Sequence, residues 1–142
     1  MTPCDLDADV VLARLAHLDE LMRILTDMGR PTLAGDPVAR LATERILSQS
    51  VEIVVDICSH VMATQSGRAP ATYREAVEGA ASVGVIPPET AADLGRAVGM
   101  RNILVHEYLA VDVTLVERAA ADAPELLGDF GRTVAGWLEA RR

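Results

Sequence analysis

Apolar residues recur at steps of three and four along most of this chain, and no run alternates like a strand, so the pattern predicts helices joined by short polar connections. Leu6, Val10, Ala13, Leu18, Leu21 and Leu25 lay out the face of a first helix from about Asp5 to Met28, stopped by Gly29-Arg30-Pro31. Asp36-Pro37 then reads as an N-cap with proline at the first helical position. It opens a second helix to about Ala63, apolar on most sides from Leu41 to Met62 and therefore the predicted centre of the molecule. Thr72-x-x-Glu75 matches a capping box for a short third helix ending near Gly84, and Pro87-Pro88 introduces a fourth. A fifth begins near Asp112. Pro124 is expected to break it, with Asp122 capping a last helix to about Leu138. The expectation is one all-α domain over residues 1–142, a bundle of five to six helices.

One stretch interrupts the apolar order. Ala91, Leu94, Val98, Arg101, Val105 and Tyr108 form a single stripe, so Arg101 and Tyr108 stand where a helix usually carries leucine. His106 falls about 140° round the helix from Arg101, on the face of Asn102, and about 7.5 Å further along the axis. A long arginine side chain and an imidazole at that spacing can reach one phosphate, within one chain or across a two-fold axis. An arginine in an apolar seam is costly unless paired or solvated, which favours a cleft at a symmetric dimer interface.

Composition narrows the chemistry. The chain has no lysine; all thirteen basic residues are arginine, which excludes Schiff-base catalysis and the lysine of a P-loop. Twenty-one carboxylates leave a net charge of −8, too acidic for a broad duplex-binding surface but compatible with a small phosphate site near Arg96 and Arg101. Cys4 and Cys58 are too few for a disulfide framework and lack metal-ligand spacing. With Asp5, Asp7 and Asp9 at the start and no apolar run approaching a membrane span, a cytoplasmic protein without a membrane partner is expected.

An arginine and a histidine suffice for RNA cleavage without a metal, because the 2′-hydroxyl of the substrate is the nucleophile. His106 can serve as general acid or base, Arg101 can stabilise charge on the phosphoryl oxygens, and Asn102 can orient either partner. The plainer reading pairs Arg101 with a core carboxylate and leaves His106 at a helix end. Arg45, Gln49, Glu52, Asp56 and His60 make a second polar stripe, read either as a solvated face or as the source of Glu52 or Asp56 beside Arg101. His17, His60 and His106 lack the spacing of a metal site, and His17 reads as a surface residue. Cys58 reads as a small core hydrophobe.

Taken together, Glu44 to Glu52, Asp56 to His60, Thr72-Tyr73-Arg74-Glu75-Ala76, Gly84-Val85-Ile86-Pro87 and Arg101-Asn102-Ile103-Leu104-Val105-His106-Glu107-Tyr108 resemble the HepT-like toxins of the HEPN superfamily. The likeness runs from about Leu6 through the last helix, and the Arg-Asn-x3-His-x-Tyr run is its specific part. It implies a HEPN-type homodimer with two motifs facing one cleft, acting as the endoribonuclease of a bacterial type VII toxin–antitoxin pair. Arg101 and His106 would be the catalytic pair, and Asn102 the polar residue beside them. An MntA-like nucleotidyltransferase antitoxin would transfer AMP to Tyr108, and RNA would be the substrate. No cofactor or metal is implied. The alternative is a non-catalytic helical subunit that partners a nucleotidyltransferase.

Overall fold

Four of the five described α-helices start on a side-chain cap, and the fourth starts on Pro87-Pro88 without one. The structure, a computed structural model, describes residues 6–29, 32–107 and 109–141. Among these residues lie α1 (Ala8–Asp27), a 3-10 turn (Leu33–Gly35), α2 (Pro37–Ser66), α3 (Tyr73–Ser82), α4 (Pro88–His106) and α5 (Val113–Glu139), with no strand. The side chain of Asp7 accepts from the Val10 amide at 3.1 Å, Asp36 from Ala39 at 3.0 Å, Thr72 from Glu75 at 3.1 Å and Asp112 from Thr114 at 2.9 Å. Each satisfies a backbone donor that the first helical turn leaves free. At the end of α3 the Val85 amide reaches the Ala80 carbonyl and the Gly84 amide reaches Ala81, both at 3.0 Å. This closure needs a left-handed residue, and Gly84 supplies it at φ 82°.

α2 is the central element. Its buried residues run from Thr43 to Val61, and every other helix packs on it. Ile57 and Val61 are fully buried, as are Val11 of α1, Val77 of α3 and Val116, Phe130 and Val134 of α5. By length and composition α2 is apolar enough to cross a membrane, contrary to the expectation of no such run; here its apolar surface is largely covered by the neighbouring helices. Cys58 lies in this core, 1% exposed, with its thiol pushed up to about 12 by burial.

α3 runs in the same direction as α2: Tyr73 at its start reaches Glu52, and Gly79 further on lies against Met62. α4 returns antiparallel to both, passing Arg74 at Gly95 and Glu52 at Arg101. Its C-terminal turn therefore points toward the first half of α2.

Three further expectations change. α5 is not broken: it continues through Pro124, whose missing amide removes one intrahelical bond. Ala123, Leu127, Phe130, Val134 and Leu138 are buried on both sides of the proline, and their packing holds the helix together. On α1 the buried face is Val11, Leu18, Leu21, Met22 and Leu25, while Ala13 is exposed. On α4 Leu104 is buried and Val105 is 42% exposed, because a 3.6-residue period carries the stripe away from the core by the last turn. Arg30 and Pro31, assigned to the stop after α1, lie outside the described residues.

Candidate functional site

Arg101 sits five residues before the end of α4, its side chain 18% exposed, where the antiparallel crossing brings it to the middle of α2. Its Nη2 donates to Glu52 Oε1 at 2.5 Å. The guanidinium also lies over the ring of Tyr73, 4.8 Å from the centroid. The Tyr73 hydroxyl closes the arrangement by donating to Glu52 Oε2 at 2.8 Å. The same hydroxyl lies 3.0 Å from Oε1, so the phenol and the arginine share one carboxylate and meet at that oxygen. The phenol is pushed above the ordinary tyrosine range, first by its hydrogen bond to Glu52, then by burial and the nearby carboxylate charge, with Arg101 opposing.

The rest of the guanidinium is more loosely held. Nη1 reaches Asn102 Oδ1 at 3.3 Å, and the buried Nε has no hydrogen-bond partner among the described residues. Asn102 and His106 are both exposed, His106 in the last helical turn. Beside Arg101 a groove of about 630 Å³ opens between α4 and α5, with Leu47 and Val51 of α2 together with Met100, Leu104 and Leu126 among its lining.

Of the two carboxylates considered for Arg101, Glu52 is the one beside it. Asp56 instead faces Arg14 of α1 at 3.9 Å. The polar stripe of α2 is therefore part seam and part solvated face: Gln49 meets His17 at 3.1 Å and the Asp7 amide donates to His60 Nε2 at 3.1 Å, while Asp56 stays exposed. Only Arg45 of the stripe is left exposed without such a contact among the described residues. Arg96, considered for a phosphate site with Arg101, pairs with Asp93 on its own helix. Tyr108, the expected modification site, lies outside the described residues. From the sequence Tyr73 stands out only as part of the Thr72–Ala76 stretch, with no role assigned to its side chain. A partly buried carboxylate such as Glu52 does call for a donor, and an aromatic just inside a capping box was the available signal.

A protein-family model described as ribonuclease HepT-like matches residues 15–130, a span containing Glu52, Tyr73, Arg101 and His106. The chain belongs to the ribonuclease HepT-like family. It is 28% identical over 100 residues to tRNA nuclease HepT of Aphanizomenon flos-aquae, a match covering 70% of this chain and 67% of that protein. It is 34% identical over 93 residues to a protein of Archaeoglobus fulgidus named as a candidate RNase, covering 66% and 70%. Among solved structures, a tri-AMPylated HEPN toxin of Shewanella oneidensis in complex with MNT antitoxin superposes with a TM-score of 0.84 at 19% identity, over 92% of this chain and 99% of that one. YutE of Bacillus subtilis, a cytosolic protein of unknown function, gives 0.83 at 19% identity over 96% and 93%. The five-helix bundle is thus the HEPN fold, and the HepT-like chain carries its Arg-x4-His run at the exposed end of α4.

Proposed function

We propose that this HepT-like protein is the endoribonuclease toxin of a toxin–antitoxin pair, with Arg101 and His106 as its catalytic residues. The observation that carries this reading is the arginine itself. A guanidinium held by Glu52 and Tyr73, with its Nη1 edge turned to exposed Asn102, stands on the same terminal stretch of helix as an exposed histidine.

RNA brings its own nucleophile. The 2′-oxygen attacks the adjacent phosphorus, the bond from phosphorus to the 5′-oxygen breaks, and the products are a 2′,3′-cyclic phosphate and a 5′-hydroxyl. One proton leaves the 2′-hydroxyl and one reaches the departing oxygen. His106 carries one of these transfers and the His106 of a second copy carries the other, in a two-fold cleft. Arg101 and Asn102 face the phosphoryl oxygens, where negative charge builds. No step needs a metal.

Regulation follows from Tyr108, two residues beyond His106. A nucleotidyltransferase antitoxin of the MntA type transfers AMP from ATP to the Tyr108 hydroxyl, with pyrophosphate leaving. The attached nucleotide places a phosphodiester charge and considerable bulk beside the catalytic histidine. The test is incubation of wild type and Tyr108→Phe with the neighbouring nucleotidyltransferase, ATP and Mg²⁺, followed by peptide mass spectrometry. AMP on wild type alone is expected. AMP on both, or on neither while toxicity is still neutralised, rejects this switch.

One observation favours a second reading. Arg101 already has a carboxylate partner in the resting chain, which suits a non-catalytic subunit that presents its helical surface to a nucleotidyltransferase. The two readings part on whether the purified chain cuts RNA.

A further inference from the structure

We propose that Tyr73 is a positioning residue for Arg101, holding the arginine by its ring face and Arg101's carboxylate partner by its hydroxyl. The inference rests on the nuclease reading above for its kinetic consequence, but not for its structural one. Tyr73 is the first residue of α3, and its backbone is fixed by Thr72, whose side chain caps the Glu75 amide, and by Glu75, which accepts from the Ala71 amide at 2.8 Å. The next residue anchors the same end of α3 to a different helix. Arg74 Nη2 donates to the Gly95 carbonyl of α4 at 3.2 Å, and a Cβ added at Gly95 would come within 3.0 Å of Arg74 Nη1. Consecutive residues of α3 thus reach α2 and α4, the two helices that carry Glu52 and Arg101.

The consequence lies in what remains of the guanidinium. Its Cζ lies over the Tyr73 ring, Nη2 is taken by Glu52, and Nε is buried. Nη1, with one 3.3 Å contact among the described residues, to exposed Asn102, is the edge left to meet an anion. A side chain with several rotatable bonds is thereby limited to one presentation, and the ligand class it suits is a single phosphate met edge-on. Glu52 alone would not achieve this, because one charged hydrogen bond leaves the plane of the guanidinium free to turn. The ring packed on Cζ restricts that turning, and the phenol prevents Glu52 from swinging away with its partner.

Arginine Nε–H signals in ¹H–¹⁵N spectra of the full chain, with Arg101 assigned by its loss in Arg101→Ala, test the claim without reference to activity. Wild type should give an ordered, slowly exchanging Arg101 Nε–H. Tyr73→Leu should lose that order, and Tyr73→Phe, which keeps the ring but releases Glu52, should lose part of it. On a short RNA, kcat should fall about ten- to a hundredfold in Tyr73→Leu with KM changed far less, since misplacement of a catalytic group acts on the transition state. Tyr73→Phe should recover part of that loss. A merely structural tyrosine would lower Tm and leave kcat of the folded fraction and the Arg101 signal alone. Wild-type order of Arg101 in folded Tyr73→Leu overturns the proposal. Should Tyr73→Leu fail to fold, wild-type order and kcat in Tyr73→Phe overturn it instead. If wild type cuts no RNA, the nuclease reading fails while the spectra still decide the role of Tyr73.

Discussion

Glu52 and Arg101, 49 residues apart in sequence, meet at 2.5 Å where α4 crosses α2. The pair is only partly shielded, with the carboxylate side chain 37% exposed, so its contribution to stability is modest while its effect on arginine geometry is large. Glu52→Ala should cost about 1 kcal/mol in urea unfolding, the scale of a partly solvated ion pair. RNA cleavage should fall at least tenfold, far more than the stability change explains. Equal, small losses in both would make Glu52 a structural residue only.

Tyr73 supplies a spectroscopic check on the same network. Tyr73 and Tyr108 are the only tyrosines, so in Tyr108→Phe the tyrosinate absorbance reports Tyr73 alone. Its midpoint should lie above the ordinary 10.0, because the phenol proton is held by Glu52, and Glu52→Gln should bring it down. The stability linked to this group is fully present below pH 10 and is lost as pH rises from there through the raised folded-state value. Tyr73→Phe should remove that alkaline loss. A midpoint at or below 10 would contradict the hydrogen bond.

The Arg-x4-His run and the caps at Asp36 and Thr72 were legible because each depends on residues near one another in sequence. The partner of Arg101 was legible only as a choice between Glu52 and Asp56. Both lie on one helical stripe, one turn apart, and only the crossing of α4 on α2 separates them. Tyr73 escaped because its role depends on the direction of α3, which a six-residue connection after Ser66 leaves undetermined. The unbroken α5 was misread for a related reason: proline is a strong local signal, but burial along the rest of the helix outweighs it.

Pro124 accordingly marks a place where the chain is less stable than it can be. Pro124→Ala restores an amide donor for the Ala120 carbonyl. Against this stands the greater freedom of the unfolded chain, so a net gain of about 2 kcal/mol is expected. Calorimetry should show Tm raised by several degrees. An unchanged or lowered Tm would mean that the missing bond is already compensated.

Cys58 is buried in α2 and its thiol is pushed up to about 12. In Cys4→Ser, a thiol reagent at neutral pH should label nothing until denaturant is added, after which one equivalent should react. Rapid native labelling would show that the centre of the bundle opens readily.

The central claim is that Arg101 and His106 cut RNA, and the most direct measurement is cleavage of end-labelled RNA by the purified full chain in EDTA beside Arg101→Ala and His106→Ala. Wild type should yield 2′,3′-cyclic phosphate ends, and each variant, still helical by circular dichroism, should be slower by about 10²–10⁴. Undiminished cleavage by His106→Ala, or cleavage only when Mg²⁺ is restored, would contradict the account.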